Sequence, residues 1–149
     1  TASGVRGMNL GKSDEIVAVE IVNPKATALT ITQNGFGKKT PFAQYRIQSR
    51  GGKGIINVKV SEKNGKVVNV LTVAEEDEII VVTTGGMVVR CPVNQIRTSG
   101  RNAVGVKVMR LKDKDKIASA TRVVAKDDEA VDAQQLELID DKKKPKTSK

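Results

Sequence analysis

Ala28-Leu29-Thr30-Ile31-Thr32-Gln33-Asn34-Gly35-Phe36-Gly37-Lys38-Lys39-Thr40-Pro41-Phe42 is a β-branched run, an Asn-Gly turn and a return strand with its proline one residue before the end. Asn-Gly between two such runs is a hairpin signal, and a late proline marks a strand terminus or a sheet edge. The same order returns 51 residues later, from Glu78 to Thr83, through Gly85-Gly86, to Met87–Val93. Further strands are expected at Ile55–Val60 and Val106–Leu111, and again at Val67–Val73 and Ile117–Val123. Gly4-Val5-Arg6-Gly7-Met8-Asn9-Leu10 aligns with Gly105–Leu111, and Ile16–Val22 with the fourth strand, so half a unit precedes two whole ones.

Four strands in about 50 residues, repeated, are the signature of propeller blades, each burying its sheet against the next. The expected fold is therefore all-β, with a partial blade over 1–22, complete blades over 26–73 and 77–124, and a tail over 125–149. Two and a half blades cannot close a ring, so further blades are expected before Thr1. In the third strand, Met8, Leu10, Val58, Val60, Met109 and Leu111 share one parity and are expected inside. Asn9, Lys59 and Arg110 share the other and are expected in water.

The repeat keeps more than a core. Thr32 recurs as Thr83, Gly35 as Gly86, Pro41 as Pro92, Gln44 as Gln95 and Gly54 as Gly105. Lys39 recurs as Arg90, Arg46 as Arg97, Arg50 as Arg101 and Lys59 as Arg110. A core needs no cations, so basic positions copied once per unit point to a row of positive charge matched to a repeating anion. Residues 1–124 carry 20 Lys+Arg against 10 Asp+Glu, whereas 125–149 carry 6 against 7. The blades are the cation. The tail is acidic with a Lys-rich tip, expected to be solvated, with a weak amphipathic helix possible over 127–139.

The inventory excludes most other classes. No window approaches the roughly 18 apolar residues of a membrane span. Cys91 is the single cysteine and there is no histidine, so a zinc site and a histidine-activated nucleophile are both out of reach. Phe36, Phe42 and Tyr45 are the only aromatics, too few to stack single-stranded bases along an array. Duplex backbone is the better match, with phosphate contact dominating over base readout. Neutralising about six phosphates would give log affinity a slope near −5 against log salt.

The densest local signal is Gln48-Ser49-Arg50-Gly51-Gly52-Lys53-Gly54, where glycines let backbone amides approach a phosphate and Arg50 and Lys53 add charge. One unit later only Arg101 and Gly105 persist, so Gly51, Gly52 and Lys53 are the local specialisation. Gly35-Phe36-Gly37-Lys38-Lys39-Thr40 lacks the spacing of a nucleotide-binding loop and sits in a hairpin, not at the start of a helix. The phosphate contacts are expected from Lys38, Lys39, Arg46, Arg50, Lys53, Arg90, Arg97 and Arg101, with Arg6 and Lys107 as further candidates. Gly51, Gly52 and Gly54 are expected to allow backbone approach.

Through Gly4-Val5-Arg6-Gly7, Thr32–Thr40, Tyr45-Arg46, Arg50–Gly54 and Gly100-Arg101-Asn102, residues 1–124 resemble the C-terminal domain of DNA gyrase A subunits. The resemblance implies a β-pinwheel, a propeller relative with strands exchanged between blades, whose basic rim wraps duplex DNA so that ATP-driven strand passage introduces negative supercoils. It extends the DNA-binding set to Gln48. It implies no catalytic residue here, since the family's catalytic tyrosine lies elsewhere and Tyr45 is outside that motif. It also implies no cofactor or metal in this segment, ATP and Mg being used by other domains. The implied partners are double-stranded DNA, the N-terminal cleavage part of the same polypeptide and the gyrase B protein in an A2B2 assembly, in the bacterial cytoplasm and away from membranes. Ser49 departs from the family's box, which has a second arginine there, and the copy's late position makes it a relative of the principal box. Alternatives are the related C-terminal domain of topoisomerase IV, or a propeller module that binds an acidic protein.

Overall fold

In the computed structural model, residues 2–112 and 114–123 are described; the expected tail over 125–149 and its helix over 127–139 lie outside them. The chain forms β1 (Thr27–Thr32), β2 (Phe36–Pro41), β3 (Val67–Val73), β4 (Glu78–Thr83), β5 (Val88–Pro92), β6 (Val106–Lys107) and β7 (Ile117–Val123). One sheet has the order β3-β1-β2-β6 and the other β5-β4-β7, with every pairing antiparallel.

The hairpins are copies down to their turns. Gly35 N donates to Thr32 O at 3.1 Å and Gly86 N to Thr83 O at 3.0 Å, and both glycines sit at φ +81°. That left-handed conformation is the reason a glycine stands there. The register of β1 on β3 shifts between Ile31 and Thr32, and that of β4 on β7 shifts between Val82 and Thr83, so even the bulge is repeated. After Pro41 and Pro92 each return strand ends in a 3-10 turn, Phe42–Gln44 and Val93–Gln95, which replaces the last strand residues expected at Phe42 and Val93.

The core is aliphatic, as the shortage of aromatics requires. Leu29, Ile31, Leu71 and Val73 of the first sheet pack with Ile79, Val81, Ile117 and Ala120 of the second, joined by Val93, Ile96 and Met109. Polar bonds also cross between sheets: Asn69 Nδ2 donates to Ala120 O at 2.8 Å and Arg122 Nη1 to Thr72 O at 3.0 Å.

The third strand of the second unit does not stay in its own sheet. β6 belongs to the second repeat by sequence, yet it pairs with β2 of the first, Phe36 opposite Lys107 and Gly37 opposite Val106. This is strand exchange. It corrects the expectation of a strand at Ile55–Val60, which forms no ladder among the described residues. Residues 16–22 form no ladder either, but lie against β3, where Thr72 Oγ1 donates to Ile21 O at 3.0 Å. The expected burial holds for Val58 and Met109 but not for Met8, Leu10 and Val60, which are exposed; Leu111 is half-buried.

Candidate nucleic-acid interface

Two basic loops leave the 3-10 turns, Arg46–Gly54 in the first repeat and Arg97–Gly105 in the second. Each runs over the unit before it. In the second, both legs lie along the outer edge of β2: Lys39 N donates to Arg97 O at 3.2 Å, Ser99 N to Lys39 O at 2.8 Å, and β6 returns to pair with Phe36 and Gly37. In the first, Gly51 N donates to Gly7 O at 2.8 Å and Gly52 O accepts from Asn9 N at 2.9 Å. The corresponding bond one unit on runs from Lys59 N to Ala103 O. Outer-edge placement of the second loop is therefore a result of strand exchange.

The expected contact residues divide. Arg46, Gln48, Arg50, Lys53, Arg90 and Arg97 are exposed, as are Arg6 and Lys107. Gln48 Nε2 donates to the carbonyls of Arg46 and Ile47, both at 3.2 Å, which holds the loop's first turn. Gly51 and Gly54 adopt φ +76° and +78°, conformations that glycine reaches without strain. The Gly51 amide, expected to point at a phosphate, is instead committed to Gly7. Arg90 is exposed but ion-paired with Glu78. Arg101 is half-buried, its Nη1 donating to Ile56 O at 2.8 Å.

Lys38 and Lys39 correct the expectation outright. Their residues are 1% and 2% exposed, so neither can touch a phosphate. Lys39 Nζ is clasped by Glu75, at 2.7 Å and 2.6 Å from the two carboxylate oxygens. Lys38 Nζ donates to three carbonyls, Asn57 O at 2.5 Å, Gly100 O at 2.8 Å and Arg101 O at 2.7 Å. Burial, and then the nearby Arg101 guanidinium, pull the Lys38 ammonium from its ordinary 10.5 to about 8, which leaves it protonated at neutral pH. A buried ammonium with three acceptors is the satisfied form of a group that is otherwise costly to desolvate.

Around Lys38 lies a network that the motif reading missed. Tyr45 Oη donates to Asn57 Oδ1, Asn57 Nδ2 donates to Thr30 Oγ1 at 2.8 Å, and Thr40 Oγ1 donates to Ser99 O at 3.0 Å. Its signal is nevertheless in the sequence. Thr30, Lys38, Thr40, Tyr45 and Asn57 correspond, 51 residues on, to Val81, Val89, Cys91, Ile96 and Val108, so five polar positions exchange together for apolar ones.

Among the described residues no group of His, Cys, Asp and Glu could hold a metal ion, and no helix is long and apolar enough to cross a membrane. A family described as DNA gyrase C-terminal domain, beta-propeller, matches residues 1–23, 27–74 and 77–123. The chain is 38% identical over 130 residues to the DNA gyrase A protein of Staphylococcus epidermidis, covering 86% of this chain and 15% of that protein. It superposes on a solved DNA gyrase A C-terminal domain with a TM-score of 0.76 at 30% identity, covering 81% of this chain and 41% of that one. On the C-terminal domain of a DNA topoisomerase IV the TM-score is 0.77 at 25% identity, with 91% and 42% covered.

Proposed function

The chain belongs to the DNA gyrase C-terminal domain, beta-propeller, family, and from that premise we propose that its outer edge binds and wraps duplex DNA without sequence preference. The observation that carries the reading is the pair of exposed basic loops at the same place in each repeat, the second laid by strand exchange along the outer edge of the first repeat and the first bonded to the segment at Gly7–Asn9. Arg46, Arg50, Lys53 and Arg97 supply the accessible charge, with Arg101 half-buried behind them. Gln48 orders the first loop, and its glycines keep the backbone low enough for a phosphate to approach. Lys38 and Lys39 belong to the scaffold of this surface.

Bending 20 to 30 base pairs costs on the order of 1 to 6 kcal/mol, so contacts spread over successive loops must offset it. In the whole protein, of which the chain spans 15% of the length of its curated relative, the wrap would direct ATP-dependent strand passage by the type II topoisomerase toward negative supercoiling. This segment would supply no catalytic group or cofactor. The cleavage part of the same polypeptide, and the gyrase B protein in an A2B2 assembly, would be its partners in the bacterial cytoplasm.

The test is binding to duplexes of unrelated sequence across a salt series. Arg50→Ala with Lys53→Ala should weaken all of them alike and make the log–log salt slope shallower by about 1.8, two phosphate contacts' worth. A loss confined to one sequence would mean base readout, and salt-insensitive binding would favour an acidic protein partner. Similarity to a topoisomerase IV domain supports the second reading, the corresponding domain of that enzyme. Closing relaxed circles on the protein tests the wrapping itself, because chiral wrapping leaves a shift in linking number and simple binding leaves none.

A further inference from the structure

The two basic loops differ in their bonds to the other described residues. The glycine-rich loop of the first repeat is tied to the preceding segment by two backbone bonds, through Gly51 and Gly52. The second loop is held on the first repeat by Lys39 N to Arg97 O, Ser99 N to Lys39 O, Thr40 Oγ1 to Ser99 O, Arg101 Nη1 to Ile56 O, and the Lys38 ammonium on Gly100 O and Arg101 O. Lys38 also takes Asn57 O, so one buried cation gathers three carbonyls from two segments, the first repeat's own third segment and the second repeat's loop.

We infer that Lys38 is a positioning residue for the duplex interface: its buried ammonium fixes the second basic loop on the first repeat and so sets where Arg97 and Arg101 meet phosphates. This rests on the duplex-binding reading above. Three features carry it. A cation at this depth is costly unless every donor is used, and the three carbonyls use them. Two of the three belong to the residues that carry or adjoin Arg101. And the second repeat has Val89 at the equivalent place, so of the two repeats here only the first carries the device. Arg97 and Arg101 then owe their geometry to a residue that reaches no phosphate.

The test is a double-mutant cycle on the whole chain, with a fluorescently labelled duplex as probe. Lys38→Met keeps the aliphatic stem and removes the tether. It should lower affinity and make the salt slope shallower by about 0.9 to 1.8, one or two phosphate contacts, although Lys38 itself neutralises none. In an Arg97→Ala, Arg101→Ala background it should change neither quantity, because its effect runs through those side chains. Equal losses in both backgrounds, or no loss in either, would overturn the inference. Amide hydrogen exchange without DNA supplies an independent readout: Ser99 should exchange faster in Lys38→Met while Val81, at the centre of β4, is unchanged. Unchanged Ser99 exchange overturns the tether itself. Absent duplex binding by the unsubstituted chain would instead overturn the reading on which the inference rests. If Lys38→Met melts below the assay temperature, Thr40→Val, which removes the hydroxyl bonded to Ser99 O, carries the same cycle with a smaller effect of the same sign.

Discussion

Gly35→Ala is expected to destabilise the chain by about 3 to 5 kcal/mol, while Gly86→Ala, the same change one repeat later, costs about 1 to 2 kcal/mol. Both glycines close the hairpin turn at φ +81°, so both substitutions bear the strain of a side chain in the left-handed region. They differ in what lies above them. Gly35 O accepts from Val108 N at 2.8 Å and Met109 N at 3.2 Å, and a Cβ on Gly35 would fall inside the van der Waals radius of Met109 O. A Cβ on Gly86 would meet nothing within 4 Å. The excess at Gly35 therefore measures the close docking of the exchanged strand. Gly37 and Gly105 complete the contact: a Cβ on Gly37 would lie 2.8 Å from Val108 Cγ2, and one on Gly105 2.7 Å from Gly37 O. Urea unfolding of the two variants, with amide exchange at Val106 and Lys107, checks this. Equal losses would mean that β6 contributes nothing to holding the repeats together.

That junction also explains what could be read in the sequence and what could not. The hairpins were legible because their information is local: β-branched runs, Asn34-Gly35 and Gly85-Gly86, and a proline before each strand end. The third strand was not, because whether Val106-Lys107 pairs within its own unit or with the one before is a non-local choice, and alternation reads the same either way. Only two residues of it form a ladder, and Ile55–Val60 forms none, since a strand exists only where another offers it hydrogen bonds. The candidate site divides for a related reason. Charge on a loop is a fair sign of exposure, and Arg46, Arg50, Lys53 and Arg97 are exposed. Charge on β2 is not, because that strand is covered on both faces and along its outer edge. There Lys38 and Lys39 serve as hydrogen-bond donors and ion partners. The substitution of Val89 for Lys38, in step with four other polar-to-apolar exchanges, was the readable mark of that role. Charge conservation between repeats, Lys39 with Arg90, pointed the other way.

Asn64→Ala is expected to cost about 3 kcal/mol and to lower the melting temperature by roughly 10 °C, a large effect for a loop residue. Asn64 is 0% exposed and uses both ends of its amide. Oδ1 accepts from Ser61 N at 2.8 Å and Ser61 Oγ at 3.0 Å, while Nδ2 donates to Lys59 O at 2.9 Å and to Val104 O at 3.3 Å. Alanine strands an amide and two carbonyls where water does not readily reach, and each unpaired group costs about 1 to 3 kcal/mol. The equivalent position in the second repeat is Asp115, which accepts from Thr84 Oγ1, Gly85 N and Lys116 N, all at 2.8 Å, at the surface. Asp115→Ala should shift the melt far less, since water can replace the carboxylate. Asn64→Asp supplies the sharper control. It keeps the acceptor but sets a carboxylate against the Lys59 and Val104 carbonyls, which raises its pKa in the folded state. Its stability should therefore be greater at pH 4, where a protonated acid can donate, and fall as pH rises through that raised value. A pH-independent loss in Asn64→Asp would mean that the donor bonds to Lys59 and Val104 carry little. The bond to Val104 crosses from the first repeat to the second, so part of the loss measures how the turn at 61–66 holds the second basic loop.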